Sequence, residues 1–377
     1  MAFVLTEEQQ MLRDSALAFA AEKLPVSQLR DLRAKGDAFD RAAWKEMADL
    51  GFAGVLVPED FGGSGFGHVG LGQVLEAQGR TIASSPLLST ALIGASALLL
   101  AGNDKQKAAW LPKIASGELV TALAVDEGPH HDPAHIALSA EKSGAGYVLS
   151  GEKRYVVDGA EADLLIVAAR TSGKASETSG ITLFLVPTDA RGLTRTALKT
   201  LDAHPAANIA FANVETGADA VLGPLDQGHD LLEAILDRAR IGLAAEMLGA
   251  ADAAFEMTSD YLKVRKQFGQ LIGSFQALQH RAAVMFTELE LTRSCVAAAL
   301  DALDRNASTI AELASLAKAR AGETLHLVSS ETVQMHGGIG MTDEHDSGLY
   351  MKRARVLEAL YGAETFHRDR YARLSGY

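Results

Sequence analysis

QMHGGIGMTDEHDSGLYMKRARVLEALYG, residues 334–362, is the stretch around which the rest of the chain is organised. An apolar helical run ends at two adjacent glycines, Gly337 and Gly338. Gly340 and Thr342 follow, and then a helix rich in Arg and Lys. Without a Cβ, a Gly-Gly pair at a helix end lets main chain come close to a flat or anionic body. The same pair also fits a helix C-cap and a turn, so on its own it leaves both readings open.

A second stretch lies upstream: VRKQFGQLIGSFQ, residues 264–276. Arg265 offers a planar fork of donors that suits phosphate oxygens. The plainer reading makes Arg265 and Lys266 a solvated helix end, favourable against the helix dipole.

Composition bounds the possibilities. The chain has 377 residues, 48% hydrophobic and 22% charged, enough apolar content for a large core and too little charge for disorder. Its net charge of −13 argues against a nucleic-acid partner, so any site for an anion must be a local basic cluster. The one cysteine, Cys295, excludes an internal disulfide or a cysteine metal cluster and sits in a helical apolar pattern that reads as core packing. The opening MAFVLTEEQQ has no basic and apolar leader pattern, and no run approaches the ~18 apolar residues of a membrane span. The expected setting is the cytoplasm.

Taken in order, the sequence predicts an α+β protein of three parts: an N-terminal α-helical domain (1–118), a middle antiparallel β-barrel or sandwich domain (119–225) and a C-terminal four-helix bundle (226–377). Thr6 with Gln9 forms a capping box ahead of Leu12, Ala16, Phe19 and Ala20, which recur at helical spacing. Residues 42–50 predict a second helix, residues 57–67 a Gly-rich loop, and Asn103 or Asp104 starts another helix. Short β-branched or apolar runs at 119–125, 147–157, 164–169, 181–186, 193–198 and 208–214 predict strands. One long helix is expected over 230–264, where Gly242, Ala245, Gly249 and Ala253 form a stripe of small residues that permits close helix contact. Further helices are expected from Ser274 and from Thr309, the latter with Glu312 completing a capping box.

With these motifs in this order, nearly the whole chain resembles the acyl-CoA dehydrogenase family of flavoproteins. The resemblance implies FAD. Gln334, Gly337 and Gly338 carry over to the adenosine contact, and Arg265 faces the pyrophosphate across a subunit boundary, with Gln267, Phe268, Ile272 and Gln276 completing that wall. In the middle domain, the loop VDEGPHHD implies flavin contacts from Val125, Asp126 and His131. Gly128 and Asp132 match the family there, while His130 and His131 stand where small residues are usual. Two adjacent His and an Asp rarely converge on one ion, so no metal is expected, and the pair reads as exposed or phosphate-facing. Tyr155 replaces a stacking Trp, Val156 follows it, and Val157 replaces a Thr whose hydroxyl commonly bonds the flavin N5 edge. Ala363 completes the implied set.

Desaturating a thioester between its α and β carbons needs a base for the α proton, a hydride acceptor at the β carbon, and donors for the enolate oxygen. Flavin supplies the acceptor. Most members carry a catalytic Glu directly before the glycine that is Gly362 here; this chain has Tyr361. Others carry it before an Arg on the long helix; that Arg is Arg240, and Ala239 precedes it. A phenol ordinarily titrates near 10 and a Glu near 4.3, and burial opposes ionising either. Tyr361 and Arg240 are the catalytic candidates. Glu246 reads as a helix-surface or inter-helix residue and Glu364 as a helix-start charge.

The resemblance implies an acyl-CoA dehydrogenase with an acyl-CoA substrate and an electron-transferring flavoprotein as electron acceptor, in a homotetramer or a heterotetramer with a paralogous dehydrogenase subunit. Two alternatives stand beside it: a catalytically silent FAD-binding subunit of a heteromeric enzyme, and a flavin oxidase or monooxygenase on the same scaffold.

Overall fold

The computed structural model describes residues 4–377, so the part of the N-terminal reading that falls on residues 1–3 lies outside it. Eleven helices are present among the described residues: α1 (Glu7–Lys23), α2 (Val26–Lys35), α3 (Arg41–Asp49), α4 (Gly67–Arg80), α5 (Ala95–Ala101), α6 (Asp104–Ala115), α7 (Gly228–Val264), α8 (Gln276–Asp304), α9 (Ile310–His336), α10 (Ser347–Ala359) and α11 (Glu364–Leu374). The main strands are β1 (Thr121–Ala124), β2 (Ser139–Ser143), β3 (Gly146–Val157), β4 (Leu164–Arg170), β5 (Ile181–Pro187), β6 (Leu193–Ala197), β7 (Ala206–Gly217) and β8 (Val221–Leu222). The chain divides into two compact units. One comprises residues up to Asp31, His68–Ala83 and Arg240–Tyr377; the other comprises Leu32–Gly67 and Ser84–Ala239.

In the second unit the strands form one sheet in the order β6-β7-β3-β2-β4-β5-β8. Most neighbours are antiparallel, as the hairpin signals lead one to expect, but β1 pairs with β4 in parallel. Every residue of β4 is buried, the pattern of a strand covered on both faces. Leu165, Val167, Phe184, Ile209 and Phe211 form the middle of its core. The Asn103 capping box ahead of α6 is present, with Gln106 returning the bond.

In the first unit the Thr6–Gln9 capping box starts α1. The small-residue stripe on α7 serves a contact inside the chain. A Cβ on Gly249 would stand 1.9 Å from the Glu76 carbonyl oxygen of α4, and one on Gly79 would stand 2.0 Å from that of Glu246. Beside this contact Glu246 is buried and bound by Arg353, with Nη2 to Oε1 at 2.5 Å, so it is an inter-helix residue. Two predicted helix starts are corrected. Residues 272–274 form a 3₁₀ turn and Phe275 is extended, so α8 begins at Gln276. Thr309 precedes α9 with non-extended backbone and makes no side-chain cap, so the expected box with Glu312 does not form.

Candidate active site

The two stretches singled out in the sequence meet at the C-terminal ends of α7 and α9. Tyr261, one turn before Arg265, stacks on the ring of His336 with centroids 4.3 Å apart, and His336 in turn lies 4.3 Å from His345. His336 Nδ1 sits 2.7 Å from the Thr332 carbonyl. Burial, with His345 adding to it, holds the His336 imidazole below its usual range and favours the neutral stacked ring.

Beyond this stack the chain presents exposed groups with few internal contacts: Phe268 meets the Phe275 ring edge-on at 6.1 Å, and Gln267 Nε2 donates to the Lys266 carbonyl at 2.9 Å. The Arg265 amide bonds to Tyr261, and the Arg265 carbonyl accepts from Ile272 at 2.9 Å, closing a small hairpin of β9 (Lys266–Gln267) and β10 (Gln270–Leu271). Phe268 and Gly269 at its tip both have positive φ, and the Phe268 side chain is 92% exposed. The exposed Arg265 guanidinium has no ion-pair partner among the described residues. Gln267, Gln276 and Gln334 are exposed as well, while Ile272 is buried beneath the hairpin.

Gly337 has φ 64° and ψ −136°, a conformation that side chains with a Cβ avoid. Gly338 has ordinary helical backbone, and a Cβ on it would meet nothing within 4 Å. Internal packing therefore gives no reason for glycine at 338. The main chain there borders open space with room for an external flat body. An exposed guanidinium, an exposed aromatic ring and a bare glycine main chain together suit the phosphates and planar rings of a dinucleotide such as FAD.

The second group of candidates lies on the turn after α10. Arg240 is wholly buried; its Nε donates to the Tyr361 carbonyl at 3.3 Å, and its guanidinium lies 5.5 Å from the Phe366 ring centroid. Tyr361 is 5% exposed and left-handed, with φ 54°, and Gly362 follows with φ 109°. Ala239 is buried, Ala363 is exposed, and Glu364 opens α11 as expected. Sequence reasoning missed Lys318 and His367, both buried here. The available signal for Lys318 was a lysine on the α9 face formed by Ala314, Ala317 and Ala321, all of them buried.

In the β unit, the loop 125–132 and the end of β3 are each tightly tied. Val125 is buried, and its carbonyl accepts from Lys153 Nζ at 2.8 Å. Glu127 accepts from the same Nζ at 2.6 Å and from the amides of Ala137 and Leu138. Burial pulls the Lys153 ammonium down while Glu127 opposes it. His131 is not the exposed residue that one of the two expected alternatives made it. Its side chain is 3% exposed, and Nδ1 lies 3.0 Å from both oxygens of the half-buried Asp126 carboxylate, a charge-assisted partner that replaces water. His130 is exposed. At β3 a register shift between Lys153 and Val156 forms a bulge that turns Tyr155 outward, 39% exposed and with φ 49°; Val156 is buried and Val157 half-buried.

Three family profiles match the chain: "Acyl-CoA dehydrogenase, N-terminal domain" over residues 6–118, "middle domain" over 125–214 and "C-terminal domain" over 226–375. Among similar proteins, a probable acyl-CoA dehydrogenase of Bacillus subtilis is 32% identical over 375 residues, covering 98% of each chain. Butyryl-CoA dehydrogenase from Megasphaera elsdenii is similar in structure, with a TM-score of 0.93, 26% identity and full coverage of both chains. So is a chain of the ChsE4-ChsE5 complex from Mycobacterium tuberculosis, with a TM-score of 0.91, 27% identity and full coverage of both chains.

Proposed function

The chain belongs to the acyl-CoA dehydrogenase family, whose members are FAD-dependent flavoproteins, and on that premise we propose that it takes part in the α,β-desaturation of an acyl-CoA thioester. The observation that carries this is the pairing of the free Arg265 fork with the open glycine main chain at 337 and 338. In this reading Arg265 holds the FAD pyrophosphate, Gln267, Phe268, Gln276 and Gln334 line it, and Gly337 and Gly338 receive the adenosine half. Val125, Asp126, Tyr155, Val156, Val157 and Ala363 belong to the flavin side, and Arg265 and Phe268 reach FAD held mainly by another subunit. When bound, FAD supplies the hydride acceptor. The chain's own part is to orient the thioester, exclude water and fix the turn at 361 through Arg240. An electron-transferring flavoprotein is the electron acceptor in this reading.

The test is direct. FAD at about one hundred times its dissociation constant should stabilise the fold by about 2.7 kcal/mol. Anaerobic addition of an acyl-CoA panel should then perturb or bleach the flavin band. Colourless protein whose melting temperature ignores FAD refutes the reading.

A second reading is favoured by Tyr361 and Ala239, which leave both family positions for the base without a carboxylate. Here the chain is the flavin-binding, base-less subunit of a heteromer, and a paralogous chain supplies the Glu. The ChsE4-ChsE5 complex among the similar structures joins two differently named proteins, which is compatible with a heteromer. Reduction of flavin only after mixing with such a paralogue distinguishes it from the first reading.

A further inference from the structure

Three buried side chains from three helices converge on the main chain around position 361. Lys318, in the middle of α9 and 1% exposed, donates from Nζ to the carbonyl oxygens of Glu358 at 3.2 Å and Gly362 at 3.1 Å. Arg240 of α7 donates to the Tyr361 carbonyl, and His367 of α11 donates to that same oxygen from Nε2 at 3.2 Å. A helix end leaves carbonyls without intrahelical donors, and here they face inward, away from water. The turn itself is irregular: Leu360 is extended, Tyr361 left-handed and Gly362 positive in φ.

We propose that Lys318 is a positioning residue, which fixes the direction in which the side chain at 361 leaves the main chain. The two carbonyls it binds flank position 361, so one nitrogen fixes the span across the turn. Arg240 and His367 hold the intervening carbonyl and so set the rotation of the peptide between 361 and 362. With both constraints in place the backbone angles at 361 have little freedom, whichever side chain stands there.

A packing role alone does not account for a lysine here. A buried amine costs desolvation that a methionine of similar length avoids, and the two carbonyls it donates to, with the Glu358 charge, offset that cost. Burial first, and then Arg240, bring the Lys318 pKa down to about 7. A neutral amine still carries two N–H donors, as many as the carbonyls it serves, so the clamp does not depend on the charge. Glu358 on α10 is the acidic group that opposes this shift. The amine backs onto a 340 Å³ recess lined by Glu323, His326, Glu358 and Glu364.

The proposal rests on the reading of 361 as the substrate-facing position, and the experiment separates the two. FAD-loaded wild type, Lys318→Met and Lys318→Gln are compared by amide hydrogen exchange, and the same changes are made on Tyr361→Glu for stopped-flow flavin reduction by butyryl-CoA. Lys318→Met should raise exchange over 359–367 about tenfold and leave the interior of α9 unchanged. On Tyr361→Glu it should slow reduction about tenfold or more with the butyryl-CoA dissociation constant within about twofold. Lys318→Gln, which keeps two N–H donors, should recover part of both losses. Unchanged exchange over 359–367 overturns the proposal. So does parallel loss across α9, in binding and in rate, which is the pattern of packing alone. If Tyr361→Glu never reduces flavin while local exchange rises as expected, the clamp stands and the reading of position 361 falls.

Discussion

The wall at the ends of α7 and α9 and the turn after α10 treat polar groups in opposite ways. On the wall, Arg265 has no ion-pair partner among the described residues, Phe268 is 92% exposed, and Gly338 borders open space. At the turn, the carbonyls of Glu358, Tyr361 and Gly362 are each met by a buried donor from another helix. In the proposed reading, a surface left this open is completed by FAD. A turn whose main chain is satisfied internally is a fixed frame, into which chemistry enters only through the side chain at 361. The difference teaches that one chain can leave a wall open and hold a turn fixed; in the proposed reading the wall receives FAD and the turn carries Tyr361 where related enzymes keep a carboxylate.

The sharpest way to test that contrast is to supply the carboxylate. Tyr361→Glu, or Ala239→Glu, should raise the rate of flavin reduction by acyl-CoA about a hundredfold to ten-thousandfold, the usual worth of a positioned general base. Stopped-flow absorbance measures it. Fast reduction by the parent chain alone, with no gain in either variant, would mean that a base operates elsewhere.

The frame should also reveal itself through pH. Lys318 titrates near 7 when folded against 10.5 when free, so between those values the unfolded chain binds more protons. Stability from this group therefore rises with pH across about 7 to 10.5, and below 7 the cost of a buried ammonium is present in full. The total is at most a few kcal/mol. Melting temperature against pH, compared between wild type and Lys318→Met, isolates it: the variant should lose that part of the slope.

On the wall, Arg265→Ala should weaken FAD binding by about 10- to 100-fold, the loss of a charge-assisted contact. It should leave the melting temperature of FAD-free protein unchanged. A drop in both would make Arg265 a structural residue and erase the contrast. The smallest effect belongs to His131. Because its ring is committed to Asp126, His131→Ala should cost about 1 kcal/mol of stability and leave FAD affinity within about threefold. A larger fall in affinity would return His131 to the cofactor.

Much of this was legible in the chain because the wall displays residues out of place. An Arg and a Phe beside glycines, with a Gly-Gly pair ending a helix, break the pattern of a soluble surface. The three-part helical, β and helical order was legible from periodicity. The turn was not, since Lys318, Arg240 and His367 come from separate helices and act on carbonyls, which carry no sequence signal. The enclosure of His131 was not legible, because nothing local announces that a ring will fold back five residues onto Asp126. The small-residue stripe was read correctly as a close-packing surface, but its partner is α4 of the same chain, identifiable only through Gly79 and Gly249 together.

That meeting of α4 and α7 has a consequence for how the protein is made. The unit holding α1, α4 and Arg240–Tyr377 is drawn from segments far apart in the chain. Leu71, Val74 and Leu75 of α4 leave the ribosome roughly 150 residues before α7 follows, on the order of ten seconds of synthesis. Throughout that interval the nascent helix carries an apolar face and a bare glycine with no mate. The second unit, by contrast, is fully translated before α7 is complete. The order of translation thus leaves the earliest-made helices of this unit waiting longest for their partners.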